Sequence, residues 1–203
     1  MEVFRKRLSE WPESELQEWR ENTQDYRNLY AKAKDIHLAV SPRTANLLYV
    51  LAKARRARTI VEFGTSFGYS TLHLAAALKD NGGGRLISTE FEPSKVAQAR
   101  RTLEKAELSE IVEIREGDAL DTLAHDLPDR VDFVFLDGAG TLYRTITELL
   151  EPRLSPDAVV VADNAHGAED YLAHVRSPGR YVSTSPDRDI ELSLWLRPTS
   201  DAG

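Results

Sequence analysis

The sequence contains no cysteine in its 203 residues and only one methionine. Without thiols the chain forms no disulfide, binds no metal through cysteine and has no cysteine nucleophile. It also lacks an apolar run near the roughly 18 residues that a membrane span requires, and its start has no apolar stretch typical of a secretory signal. We therefore expect no membrane insertion, and a cytoplasmic location.

Acidic residues outnumber basic ones, 33 to 26, so the formal net charge is -7 at pH 7. Binding to a nucleic-acid backbone needs a basic face, so we expect no nucleic-acid partner. A hydrophobic share of 41% with 29% charged residues is typical of a globular protein. We expect one domain over 1–203, with a helical cap or dimerisation segment over 1–40, a core over 41–197 and a tail over 198–203.

Two common phosphate-binding patterns are missing, namely G-x-G-x-x-G and G-K-[ST]. Short β-rich runs alternate instead with helical segments, and the first such helix begins after Ser41 as N-cap with Pro42 in its first turn. The alternation predicts a Rossmann-like, doubly wound α/β fold whose seven-stranded, mostly parallel sheet ends in a C-terminal antiparallel hairpin, with extra N-terminal helices. The predicted strands before the hairpin are 59–63, 85–90, 111–116, 131–137 and 157–163.

Ligands bind such sheets beyond the carboxyl ends of the strands. The first strand ends in "VEFGTSFGYS", where Gly64 and Gly68 allow a sharp bend close to an anionic group. The second ends at Glu90, whose carboxylate matches the two hydroxyls of a ribose. After the third, Asp118 suits either an adenine amino group or the cap of the next helix. The glycines by themselves are also compatible with an ordinary strand-to-helix turn.

The fourth and fifth strands end in matching acids, Asp137 and Asp163, and Asn164 follows the second acid. Two carboxylates and an amide oxygen at neighbouring strand ends form an all-oxygen site of the kind that Mg²⁺ prefers. Each acid is alternatively the cap of the helix that follows it. The pairing of Asp137 with an Asp-Asn dipeptide favours the metal.

The segments "VEFGTSFGYS", "ISTEFEP", "VFLDG" and "VVADNA", in this order, resemble the class I S-adenosylmethionine-dependent methyltransferases, and among them the catechol O-methyltransferase type. The resemblance extends from about Val40 to Trp195. It implies S-adenosylmethionine as methyl donor, Mg²⁺ as metal, a small-molecule methyl acceptor and a homodimer. The cofactor residues that it implies are Val40, Ser41, Glu62, Gly64, Gly68, Ser70, Glu90, Asp118, Ala119 and Asp137, and the metal ligands are Asp137, Asp163 and Asn164.

The sequence departs from that family just after its first metal acid. The family commonly has a basic lysine three residues beyond this acid and often an aromatic residue before the lysine, whereas this chain has Gly140 and Ala139. Histidine has a suitable pKa for a base at neutral pH, so His166 and His37 are the candidate catalytic residues. Glu191 falls where the family can place an acid that contacts a second hydroxyl of a catechol, although its segment equally fits a plain alternating strand.

Several alternatives remain open at this point. Without the lysine, the acceptor could be an amine or a carboxylate methylated without a metal. A nicotinamide-dependent oxidoreductase could use a similar sheet, although the glycine spacing counts against it. An RNA methyltransferase is disfavoured by the acidic charge balance, and a non-catalytic cofactor-binding module is a further possibility.

Overall fold

The computed structural model describes residues 39–196, which include the predicted core except for its last position. The predicted segment over 1–40, apart from its last two residues, and the tail over 198–203 lie outside the described residues. In chain order the elements are α1 (Pro42–Arg55), β1 (Thr59–Phe63), α2 (Tyr69–Asp80), β2 (Arg85–Glu90), α3 (Pro93–Lys105), β3 (Val112–Glu116), α4 (Ala119–Thr122), β4 (Val131–Leu136), α5 (Tyr143–Leu150), β5 (Leu154–Asp163), α6 (Glu169–Val175), β6 (Tyr181–Thr184) and β7 (Ile190–Trp195).

The strands form one sheet in the order β3-β2-β1-β4-β5-β7-β6. The pairs among β1 to β5 are parallel, and β7 is antiparallel to both β5 and β6. This confirms the predicted fold class and its hairpin. β5 begins at Leu154, earlier than the predicted 157, because Leu154 already pairs with Val131. β3 begins at Val112 instead of 111, because Ser109–Ile111 forms a short 3-10 turn.

Helices cover both faces of the sheet, because successive strand residues point to opposite sides. Ile60 packs with α1 and α2, whereas the next residue, Val61, packs with α5 and α6. α3 packs against α2 near the β3 edge, where Ala75 meets Ala99 in a smaller apolar cluster. No helix within the described range is long and apolar enough to cross a membrane.

The register of three neighbouring strands determines where the functional groups emerge. Phe63 of β1 lies beside Leu136 of β4, and Leu136 lies beside Ala162 of β5. The next residues along these parallel strands are Gly64, Asp137 and Asp163, so they leave the sheet side by side. The glycine turn and the two predicted metal acids therefore lie next to one another at the carboxyl ends of three neighbouring strands.

Candidate active site

A cavity of about 630 Å³, open to solvent, lies at the carboxyl ends of β1, β2, β3 and β4. Five of the predicted cofactor residues line it, and they come from four different strand ends: Gly64, Glu90, Asp118, Ala119 and Asp137. The residues that complete the wall were missed at the sequence level: Phe63, Ser66, Thr89, Phe91, Lys95, Gly117, Gly138, Ala139 and Leu142. Most of these directly flank a predicted position, which is the signal that could have found them. Lys95 is brought to the wall only by the first turn of α3.

The Glu90 carboxylate is held in place by two backbone amides. Its Oε2 accepts the N–H of Ser66 at 2.7 Å, and its Oε1 accepts the N–H of Glu92 at 2.9 Å. A carboxylate offers about four acceptor positions, so each oxygen can still accept a further hydrogen bond. The fixed carboxylate on the cavity wall therefore suits a pair of ribose hydroxyls.

The glycine turn forms a narrow cradle beside Glu90. Gly64 has φ +102°, and a Cβ there would lie 2.4 Å from the carbonyl oxygen of Asp137, so no larger residue fits. Ser66 has φ +47° and lines the cavity, and its buried Oγ has no hydrogen-bond partner within residues 39–196. A buried hydroxyl left without a partner is expected to meet a polar group of a ligand. The cradle thus fits a polar small molecule such as S-adenosylmethionine.

Glu62 lies behind the turn and is not on the cavity wall. Its carboxylate is fully buried and accepts hydrogen bonds of 2.6 Å from the hydroxyls of Ser70, Thr71 and Ser88. Burial raises the pKa of Glu62, and these hydroxyls only partly oppose the rise. The arrangement ties the start of α2 to β1 and β2, so Glu62 and Ser70 support the turn from beneath. Direct contact of either side chain with the cofactor stays a prediction.

Three more predicted cofactor residues are also absent from the cavity wall. Gly68 is the N-cap of α2 with φ +86°, and a Cβ there would meet Ala99 of α3 at 3.4 Å. Val40 is buried in the core with α1 and α2. The Ser41 Oγ accepts the N–H of Thr44 at 3.0 Å and thereby caps α1, as predicted. Their contribution to cofactor binding remains a prediction.

The position of Asp118 is compatible with both roles that the sequence left open, the helix cap and the contact with an adenine. Its Oδ1 accepts the N–H of Leu120 at 3.0 Å, so it caps α4. Asp118 and Ala119 also line the cavity. A ligand base could therefore lie against the first turn of α4.

Burial raises the pKa of both acids at the ends of β4 and β5. Burial raises the pKa of Asp137 well above its usual range, and the charges of Asp163 and Glu62 raise it further. Burial raises the pKa of Asp163 to about 6, although the N–H of Asn164 opposes the rise. Two neighbouring carboxylates whose negative charge is disfavoured in this way are a donor set that a hard divalent cation suits.

Asn164 is the third of the predicted metal ligands. It has φ +53°, and its Nδ2 donates to the Asp163 Oδ2 at 3.2 Å. Within the part of the chain that is described, no three acidic, histidine or cysteine side chains form a ready metal cluster. The donor set present is therefore two carboxylates and one amide, and the amide oxygen would have to turn toward the cation.

Comparison with known proteins identifies the family. A family model described as "Methyltransferase domain" matches residues 61–165. A catechol O-methyltransferase from Niastella koreensis is 34% identical over 140 residues, which is 68% of this chain and 62% of that protein. The catechol O-methyltransferase of Sus scrofa is 30% identical over 80% of this chain and 91% of its own length. The chain belongs to the S-adenosylmethionine-dependent methyltransferases.

A solved structure supports the same relationship in three dimensions. The O-methyltransferase TomG from Streptomyces achromogenes, involved in tomaymycin synthesis and solved in complex with SAM, superposes with a TM-score of 0.68 at 28% identity. The alignment covers 86% of this methyltransferase and 89% of TomG. The chain spans less than two thirds of the Niastella koreensis protein, so only part of that relative is matched.

The two glycines after Asp137 in this methyltransferase have different structural reasons. A Cβ on Gly138 would lie 2.4 Å from the Phe63 Cζ, so packing requires glycine there. A Cβ on Gly140 would meet the Ala168 Cβ at 3.7 Å, an ordinary contact. Nothing in the described surroundings of Gly140 requires glycine, because a Cβ there would not clash.

The remaining candidate residues of the methyltransferase differ in their surroundings. His166 is about half exposed, is absent from the cavity wall, and places its Nδ1 3.5 Å from the Asp189 Oδ1. His37 lies outside the described residues. Glu191 is buried and accepts two hydrogen bonds from Arg176, at 2.8 and 2.7 Å, so its carboxylate belongs to a structural ion pair. The expected contact of Glu191 with an acceptor hydroxyl finds no support in this arrangement.

Proposed function

We propose that this protein transfers a methyl group from S-adenosylmethionine to a hydroxyl oxygen of a small phenolic or catechol-like molecule, assisted by Mg²⁺. One observation carries the proposal. Asp137 lies on the wall of the same cavity as Glu90, and it leaves the sheet directly beside Asp163. The carboxylate proposed for the ribose and the first of the two proposed metal acids thus line one cleft, and the second acid ends the neighbouring strand.

The residues of the cavity act by holding the methyl donor in one orientation. Glu90 would bind the ribose hydroxyls, because two backbone amides already fix its carboxylate. Asp118 and Ala119 would flank the adenine, and the cradle at Gly64 would receive the methionine end. When bound, S-adenosylmethionine would supply an electrophilic methyl carbon: an aligned acceptor oxygen bonds to it in line while the bond to sulfur breaks and the thioether S-adenosylhomocysteine leaves, so orientation is the main requirement.

Asp137, Asp163 and Asn164 would hold the metal through oxygen atoms. A bound Mg²⁺ lowers the pKa of an acceptor hydroxyl and orients its oxygen. A phenol with a pKa near 10 is mostly protonated at neutral pH, so this assistance accelerates methyl transfer. His166 is the base candidate that the described residues offer, with Asp189 beside its ring. We further propose that the protein is a cytoplasmic homodimer.

The test uses labelled S-adenosylmethionine with a panel of phenols, catechols, amines and carboxylic acids, with Mg²⁺ or with a chelator. We expect transfer to a hydroxylated acceptor that Mg²⁺ stimulates and that Asp163→Ala reduces to the chelated level. Asp170→Ala is the control, because Asp170 is an exposed acid on α6. Equal activity of Asp163→Ala and wild type, with or without chelator, would exclude the metal and favour a metal-independent acceptor such as an amine.

A further inference from the structure

Tyr143 connects the two loops that carry the acids. It is the first residue of α5 and is 1% exposed, so its ring is enclosed in the core. Its hydroxyl donates a hydrogen bond of 2.9 Å to the backbone carbonyl of Asp163. The start of α5 is thereby attached to the residue that ends β5.

Tyr143 is also connected to the Asp137 loop, through Phe63. Its ring contacts Phe63 edge to face, with centroids 6.2 Å apart and planes at 83°. The Phe63 carbonyl accepts the N–H of Asp137 at 2.8 Å, and the Phe63 ring fills the space that a side chain at Gly138 would occupy. The buried Tyr143 side chain therefore contacts the Asp163 carbonyl and also Phe63, whose own carbonyl holds the N–H of Asp137.

The turn that Tyr143 contacts follows the last pair of β5, where Asp163 lies beside Ile190 of β7. Asn164 has a left-handed backbone, which asparagine adopts more readily than most residues other than glycine. Three backbone hydrogen bonds stabilise the turn: Ala165 N–H to the Asp189 carbonyl at 3.1 Å, Gly167 N–H to the Asn164 carbonyl at 3.4 Å, and Ala168 N–H to the Ala165 carbonyl at 2.9 Å. The Tyr143 hydroxyl adds a side-chain hydrogen bond at the Asp163 carbonyl, just before Asn164.

We propose that Tyr143 is a positioning residue for the divalent cation, because it fixes the Asp163–Asn164 turn relative to Asp137. This inference rests on the proposed function. Tyr143 does not touch the cation or the acceptor, and it acts through the backbone of Asp163. Loss of its hydroxyl would leave the ring packing intact and allow the Asp163 carboxylate and the Asn164 amide to move away from Asp137.

Tyr171 provides a matched control. It is also a buried tyrosine, and its ring contacts that of Tyr143 with centroids 5.7 Å apart. Its buried hydroxyl faces Ser193 of β7, whereas the Asp163 carbonyl is occupied by Tyr143. Tyr171→Phe therefore removes the same atom from the same aromatic cluster without affecting the Asp163 carbonyl.

The experiment measures Mn²⁺ binding by electron paramagnetic resonance, without acceptor, for wild type, Tyr143→Phe and Tyr171→Phe. A net hydrogen bond of this kind corresponds to roughly a threefold to tenfold change in affinity. We expect that loss for Tyr143→Phe, with wild-type affinity for Tyr171→Phe and for S-adenosylmethionine in both variants. Unchanged Mn²⁺ affinity of Tyr143→Phe, or an equal loss in both variants, would overturn the inference while the proposed function stands.

A second measurement does not need the metal. Amide hydrogen exchange in metal-free protein should be faster at residues 164–168 in Tyr143→Phe than in Tyr171→Phe, because the turn opens locally more often. Equal exchange in the two variants would contradict the positioning role. If wild type itself binds no Mn²⁺, the metal part of the proposed function fails together with this inference, which distinguishes that result from failure of the inference alone.

Discussion

The ring of Phe63 occupies the position that a side chain on Gly138 would need, since a Cβ at 138 would lie 2.4 Å from the Phe63 Cζ. Gly138→Ala should therefore destabilise the protein by about 1–3 kcal/mol, the usual cost of overpacking a core. It should also weaken binding of S-adenosylmethionine, because Phe63 lines the cavity. Urea unfolding and calorimetric titration measure both effects.

Gly140→Ala is the control for that substitution, because a Cβ at 140 makes an ordinary contact with Ala168. We expect its free energy of unfolding to change by no more than about 0.5 kcal/mol. Similar losses of stability for the two variants would contradict the packing explanation of Gly138.

Replacement of Glu90 by glutamine should weaken binding of S-adenosylmethionine roughly tenfold to hundredfold. The substitution removes the negative charge that accepts from ribose hydroxyls and replaces one acceptor oxygen with a donor. Glu116→Gln is the matched control, because Glu116 pairs with Glu90 in the β2–β3 register but is exposed and absent from the cavity wall. Equal dissociation constants for the two variants in calorimetry would remove Glu90 from the cofactor site.

Gly140→Lys should raise the rate of methyl transfer to a phenolic acceptor, by about tenfold or more at neutral pH. A Cβ at Gly140 makes only an ordinary contact, and the resembling family commonly has its basic lysine at this position, where an amine can take the acceptor proton. Gly140→Met supplies comparable length without a base and should give no such increase. If both variants lower the rate equally, the space is needed by the acceptor instead.

Asp132 should make stability depend on pH in the acidic range. Burial alone would raise the pKa of Asp132, but the backbone N–H groups of Arg58 and Thr59 and the Ser155 hydroxyl outweigh it, so the pKa lies below the usual 3.8. A carboxyl with a lowered folded-state pKa stabilises the protein above its unfolded pKa and loses that contribution as the pH falls through the folded value.

The stability difference between wild type and Asp132→Asn should therefore be largest at and above pH 5 and shrink as the pH falls below about 3.8. Urea unfolding between pH 3 and 7 measures it. Asp129→Asn is the control, because Asp129 is 95% exposed and its ion pair with Arg153 is at the surface. A pH-independent difference for Asp132→Asn would show that the ionised carboxylate is not the stabilising form.

The sequence predicted the fold and the places where strands end in acidic residues, because strand ends are local features. Alternating segments identified the strands to within a few residues, and the acids Glu90, Asp137 and Asp163 were visible as the residues where apolar runs stop. The sequence placed Glu62 at the cofactor; the structure shows that carboxylate buried among three hydroxyls, and its contact with the cofactor stays a prediction. A strand residue points to one of two faces, and which face meets the ligand depends on neighbouring strands.

The sequence by itself determined the alternation of strands and helices, the acidic residues at the strand ends and the glycine turn, because each follows from local composition and spacing. Only the tertiary structure decided that Gly138 is required by Phe63 whereas Gly140 is not, that Glu191 pairs with Arg176, and that the Tyr143 hydroxyl supports Asp163. These relationships join residues far apart in the chain, and sequence spacing cannot report contacts that depend on how separate elements pack.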